Sequence, residues 1–151
     1  WLREKLEMPF KKNCFLKFVE IENFKSFKGF HSYGPFARFS AIVGPNGSGY
    51  SGSFPVRTLH FNSILVYLGK SNFMDAVSFA MGEFPQNLRV QRLEDLIHGA
   101  STGGTSAVVT VTLGLENGTC KKFARSIGNH SSTYSIDNEV CGVDLYAFSF
   151  I

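Results

Sequence analysis

A short apolar run, Phe39-Ser40-Ala41-Ile42-Val43, delivers the chain straight into Gly44-Pro45-Asn46-Gly47-Ser48-Gly49, and that junction limits what the chain can fold into. A strand ending at a glycine-rich loop is the opening of a P-loop, where consecutive backbone N–H groups curl around a phosphate and the next helix adds positive potential. The Lys-Ser that completes the pattern comes only at Lys70-Ser71, after the twenty residues Tyr50 to Gly69. Without those twenty the chain reads G-x-x-x-x-G-K-S ahead of a helix-forming run. In that run, Ser71 to Gly82, Phe73, Ala76, Val77, Ala80 and Met81 recur at helical spacing, which predicts a helix with Phe73, Val77 and Met81 as core.

The rest of the chain reads as α/β. Cys14 to Ile21 mixes β-branched and aromatic residues with polar ones near alternate positions, a half-buried strand that ends around Glu22-Asn23-Phe24, and Lys25 to Gly29 is turn-compatible. A second short helix is expected around Leu93 to His98. The last third is strand-rich: Ala107 to Leu113, then Asn117-Gly118 as a two-residue hairpin signal, then Cys120 to Ile127, with a further short strand pair flanking Asp137-Asn138. These pieces make one α/β unit with an antiparallel meander at its edge.

Composition excludes several classes. The chain is 151 residues, 44% apolar, enough for one core. A formal charge of +3 does not argue for a nucleic-acid binder, although Lys11, Lys12, Lys17, Lys25 and Lys28 cluster; they fit DNA phosphates or a solvated basic edge equally well. Cys14, Cys120 and Cys141 lack C-x-x-C spacing, which argues against a disulfide framework or a zinc site and leaves buried free thiols as the expectation. The longest apolar run, Ile64 to Leu68, is far short of the roughly 20 residues a membrane helix needs, so no membrane partner is expected. His98 reads as a helix-end or packing residue, and Glu94 and Asp95 give no support for a catalytic carboxylate pair.

The stretch Tyr50–Gly69 either leaves the cradle as a side loop or destroys it. Closing a loop of that length costs about 3 kcal/mol, which is tolerable. Local geometry is stricter, because the amides that cradle one phosphate belong to consecutive residues. The stretch is also unlike a surface loop: Phe54, Leu59, Phe61, Ile64, Leu65, Val66, Tyr67 and Leu68 are apolar or aromatic, and Arg57 is its one formal charge. Twenty codons preserve the reading frame, and a GGT codon at Gly49 with an AG spanning Leu68 and Gly69 would supply intron borders whose excision regenerates one glycine. A retained intron is therefore the simplest origin, and the spliced transcript tests it.

With the stretch set aside, the chain resembles the N-terminal head segment of the SMC (structural maintenance of chromosomes) family. The resemblance covers most of residues 14–140 and is carried by FLKFVEIENFKSFKG (Phe15–Gly29), GPFARFSAIVGPNGSG (Gly34–Gly49), KSNFMDAVSFAMGE (Lys70–Glu83) and NLRVQRLEDLIHGA (Asn87–Ala100). FKSF and GPNGSGKSN are shared with SMC-like repair ATPases, whereas NLRV, DLIHGA and SSTYSIDNEV point to SMC proteins, most closely the first SMC subunit of cohesin. The opening before Met8 and the DLYAFSFI ending depart from the pattern. Residues 1–13 are accordingly an extension, 14–151 a partial head domain, and 50–69 an insert.

The resemblance implies an ABC-type P-loop ATPase head, N-terminal lobe only, whose sheet is mixed and carries one or two helices. It implies a distant C-terminal segment that completes the head beyond a coiled coil and hinge, with ATP sandwiched between two heads. Gly44, Pro45, Asn46, Gly47, Ser48, Gly49, Lys70 and Ser71 would bind ATP phosphates, Lys70 neutralising their charge and Ser71 placing its hydroxyl on Mg²⁺. Lys25 and Ser26 would lie near the base or ribose, and Arg89 in a loop beside the nucleotide. Expected partners are a second SMC subunit, a kleisin and DNA, in the nucleus and on chromosomes. No catalytic residue is expected within this chain, whose enzyme chemistry would need the missing half. The alternatives are a DNA- or partner-binding fragment that does not hydrolyse ATP, or a repair ATPase of the SMC-like group.

Overall fold

The computed structural model describes residues 14–38, 40–43, 58–59, 63–65, 70–128 and 131–148. The glycine loop Gly44–Gly49 and Lys11 and Lys12 lie outside them. Six antiparallel strands form the main sheet in the order β2-β1-β6-β7-β8-β9, with β1 Phe15–Glu22, β2 Phe30–Tyr33, β6 Ser106–Gly114, β7 Cys120–Gly128, β8 Ser131–Ile136 and β9 Glu139–Cys141. A smaller sheet orders β3 (Ala41–Val43), β5 (Ser63–Leu65) and β4 (Thr58–Leu59) as β3-β5-β4. Helix α1 spans Lys70–Ala80 and helix α2 Val143–Phe148.

The main sheet forms where alternation in the sequence is strongest. Along β6, Ala107, Val109 and Val111 are buried while Val108 and Thr110 between them are only partly so, the two-residue period of a sheet with one face covered. Helix α1 lies against β6 and β7 and covers that face. Phe73, Ala76, Phe79 and Ala80 of the helix share one core with Val19 and Ile21 of β1, Val109 and Val111 of β6, and Ile127 of β7. The buried stripe of α1 therefore differs from the expected one: Phe79 and Asp75 lie inside, Val77 is partly buried, and Met81 is 49% exposed in the turn beyond the last helical residue.

Three local expectations are refined by the structure. The Asn117-Gly118 signal marks the right hairpin, but the loop has three residues. Gly118 N–H donates to Leu115 O at 3.0 Å, Leu115 N–H donates to Thr119 O at 2.9 Å, and only Gly118 of the pair takes a positive φ, 82°. That is a three-residue turn with glycine in the left-handed position rather than the two-residue turn, which needs both residues there. The two-residue form occurs instead at Asp137-Asn138, with φ 50° and 72°, joining β8 to β9. The helix expected at Leu93–His98 is a single 3-10 turn over Leu93–Leu96. Its Asp95 carboxylate accepts the Arg92 backbone N–H at 3.1 Å and pairs with the Arg92 guanidinium at 3.3 Å, which is a local cap.

The cysteines are not buried as expected: Cys14 and Cys120 are exposed and Cys141 is half-buried, because Cys14 precedes β1, Cys120 is the first residue of β7 and Cys141 the last of β9. The Lys17 ammonium lies 3.2 Å from Cys120 Sγ. No helix among the described residues is long and apolar enough to cross a membrane.

Candidate functional site

Helix α1 begins at Lys70, where the second half of the glycine-loop pattern resumes, and Ser71 is exposed in its first turn. The first-turn amides of a helix have no intrahelical acceptor and so present donors and positive potential ahead of Lys70 and Ser71. Strand β5 runs parallel to β3, pairing Ala41 with Ser63, Ile42 with Ile64 and Val43 with Leu65. The strand immediately ahead of α1 is thus β5, from within the Tyr50–Gly69 stretch, and not β3 as the motif implies. The stretch folds back antiparallel through β4 and β5 and brings the chain to a strand end beside the one it left. Val43 and Leu65 are register partners, so β3 and β5 end side by side, about one strand spacing apart, ~4.8 Å.

Three residues remote in sequence converge behind this helix start. Asn72 Nδ2 donates to Ser26 Oγ at 2.8 Å, fastening the turn after β1 to the first turn of α1. One turn further on, Asp75 receives two cations on the same oxygen. Lys25 Nζ donates to Asp75 Oδ2 at 2.6 Å and to the Leu88 carbonyl at 2.5 Å, and the Arg89 guanidinium also pairs with Asp75 Oδ2. The Lys25 and Asp75 side chains are each 12% exposed, whereas that of Arg89 is 57% exposed. Lys25 is therefore not free to meet DNA phosphates as part of a basic edge; its charge is turned inward to a carboxylate.

The backbone around Lys25 is held from several sides. Lys25 N–H donates to Leu96 O at 2.7 Å, His98 N–H donates to Asn23 O at 2.7 Å, and His98 Nδ1 lies 2.6 Å from Lys25 O. His98 is thus a packing residue that ties the turn after the 3-10 segment to the turn after β1. Lys25 and Arg89 both adopt positive φ, 47° and 63°. Such a conformation in a non-glycine residue carries strain of order 1–3 kcal/mol and persists where surrounding contacts over-determine it. Here hydrogen bonds to the turn backbone and one shared carboxylate do so.

Comparison with known proteins shows the family of the chain. The chain is 43% identical to structural maintenance of chromosomes protein 1 of Caenorhabditis elegans over 124 residues, covering 80% of the chain and 8% of the relative. It is 40% identical to structural maintenance of chromosomes protein 1B of Mus musculus over 134 residues, covering 87% of the chain and 9% of the relative. The chain belongs to the SMC family. It spans about a tenth of the length of these SMC relatives.

Among solved structures, the Pyrococcus furiosus Smc head bound to the C-terminal domain of ScpA aligns with a TM-score of 0.68 at 23% identity, over 89% of this chain and 32% of that one. The SMC head domain of Thermotoga maritima aligns at 0.58 and 26% identity, over 85% and 39%. The recombination mediator RecF in its ATP-bound structure shares the fold at 0.57 and 16% identity, over 85% and 28%. No protein-family profile matches the chain.

Within this SMC head segment, Asp75 went unnoticed in the sequence. It sits in an otherwise apolar helical run, and a carboxylate at such a position is the available signal. Arg125 was missed as well. It is 4% exposed, and its Nη1 donates to the carbonyls of Phe79 at 3.1 Å and Glu83 at 2.7 Å at the end of α1. Its guanidinium stacks 4.2 Å from the Phe79 ring centroid and 5.0 Å from that of Tyr134. Burial pulls it below the ordinary arginine value. Tyr146 donates its hydroxyl to the neighbouring carbonyl of Ala80, and burial raises its phenol. Among the described residues no cluster of three or more His, Cys, Asp or Glu side chains is placed to hold a metal ion.

Proposed function

We propose that this chain is the N-terminal part of an SMC ATPase head that binds ATP. The reading rests on the convergence of Lys25, Ser26 and Arg89 on Asn72 and Asp75, in the first two turns of the helix that Lys70 and Ser71 open. A helix start that carries Lys-Ser and is backed by a cationic cluster suits polyphosphate. Lys70 neutralises phosphate charge, Ser71 offers its hydroxyl to Mg²⁺, and Gly44–Gly49 supply the amides. In the full-length protein this segment, completed by its C-terminal half and a second SMC head, couples ATP hydrolysis to chromosome organisation. Similarity to SMC1 relatives favours the cohesin form of that work, sister-chromatid cohesion in the nucleus. The ScpA-bound Smc head of similar fold favours a kleisin partner, and DNA is the third.

Equilibrium binding of labelled Mg·ATP, to the full chain and to a form lacking residues 50–69, tests this reading. Binding by the excised form that Lys70→Ala weakens at least tenfold is the expected result. No binding by either form removes the proposal.

A second reading, a DNA- or partner-binding fragment that takes no nucleotide, is favoured by the pairing of β5 with β3, which feeds α1 from the insert. It predicts that the full chain binds DNA with the same affinity whether or not Mg·ATP is present.

A further inference from the structure

The Asp75 side chain is the one place in the cluster where the charges do not simply pair off. A single carboxylate oxygen, Oδ2, serves both Lys25 and Arg89, so the cluster holds one cation in surplus. The two cations are held unequally. Lys25 is 12% exposed, has a second acceptor in Leu88 O, and sits in a turn fixed by Leu96 and His98. Arg89 is 57% exposed and closes the 3-10 turn Pro85–Leu88 in a left-handed conformation. Asp75 also follows Ser71 by four residues, which places the two on one helix face with Cβ atoms about 5–6 Å apart. Phosphate charge arriving at Ser71 therefore meets a fixed carboxylate and, beside it, a guanidinium with room to move.

We propose that Asp75 is an electrostatic latch of the phosphate site, holding Arg89 in the nucleotide-free chain and releasing it when a polyphosphate enters beside Ser71. The inference rests on the nucleotide reading above and adds a regulatory contact to it. Release is feasible because Lys25 stays behind: a buried carboxylate that lost its sole partner would be strongly disfavoured, but this one keeps a partner. The phosphate gains a planar donor fork that suits its oxygens better than an ammonium does. Carboxylate and phosphate thus compete for the same guanidinium, and the latch opposes binding until that competition is won.

Mg·ATP titrations of the full chain, with the form lacking residues 50–69 in parallel, test the latch through Asp75→Asn, Arg89→Met and the double variant. Removing the competing charge should tighten Mg·ATP binding, on the order of fivefold in Asp75→Asn, and this gain should shrink below about twofold when Arg89 is already Met. A carboxylate that merely positions the site gives the opposite sign, weaker binding in Asp75→Asn, and that result overturns the latch, as does unchanged affinity. The Arg89 side-chain Nε–H resonance of the unsubstituted protein decides the matter even if Asp75→Asn fails to fold. It should move on adding Mg·ATP, and a resonance that stays in place while Mg·ATP binds overturns the latch alone. Absence of Mg·ATP binding in every form takes the latch down together with the nucleotide reading.

Discussion

Helix α1 holds two arginines from elsewhere in the fold, one at its C-terminal end and one at its middle, and the chain treats them in opposite ways. At the C-terminal end Arg125 is buried, stacked between two aromatic rings and bonded to two main-chain carbonyls. The Phe79 carbonyl lies in the last turn of α1, where the dipole favours a cation, and the Glu83 carbonyl just beyond it, so Arg125 is held by main-chain acceptors fixed to the helix end. At the middle of the helix Arg89 is solvent-facing and bonded to a side-chain carboxylate that already has another cation. The first arrangement is a fixed clamp on the axis of the helix, and the second is exchangeable. The proposed nucleotide role calls for both: a helix that does not shift, and a charge that can.

The comparison breaks most easily at Arg125. Arg125→Met keeps the stem but leaves the carbonyls of Phe79 and Glu83 without their donor, and urea unfolding should show a loss of about 3 kcal/mol. Next comes Asp75→Ala, which strands the half-hidden Lys25 ammonium; the expected loss is ~2 kcal/mol, and Asp75→Asn should recover part of it. A loss at Asp75 larger than at Arg125 would invert the assignment of clamp and latch.

Near the N-terminal end of α1, Tyr33 packs edge-on against Phe73 at 5.2 Å. Burial pushes the Tyr33 phenol from 10.0 up to about 12, so the folded state favours its neutral form. Above pH 10 the unfolded chain ionises first and stability falls, until the folded phenol also ionises near pH 12. Denaturation midpoints should therefore decline over that window by about 1–2 kcal/mol, and Tyr33→Phe should flatten the decline. Smallest of all is Arg89→Met, with an expected change of ~0.5 kcal/mol in the nucleotide-free chain, since a pair with one exposed partner is screened by water and salt.

Much of this was legible in the residues. The alternation in β1 and β6, the meander through β7 to β9 and the helix beginning at Lys70-Ser71 are all local patterns, and local patterns need no knowledge of what lies across the core. Ser26 and Arg89, and a place for Lys25 beside the nucleotide, follow only from likeness to the SMC family, because nothing in a turn or a loop end announces which helix it will meet. Asp75 stayed hidden because its two partners are 50 and 14 residues away. Met81 was assigned to the core by spacing alone, yet α1 ends at Ala80 and frees it.

The amino-acid sequence on its own determined the strand and helix periods, both halves of the glycine-loop pattern and the positions of the turns, since each depends on residues within a few places of one another. Tertiary structure decided which way the Tyr50–Gly69 stretch returns, laying β5 in register beside β3, and which charges meet on Asp75. Both outcomes join segments far apart in the chain, by strand pairing in one case and by burial of the α1 face in the other, and such a pairing has no counterpart in local sequence.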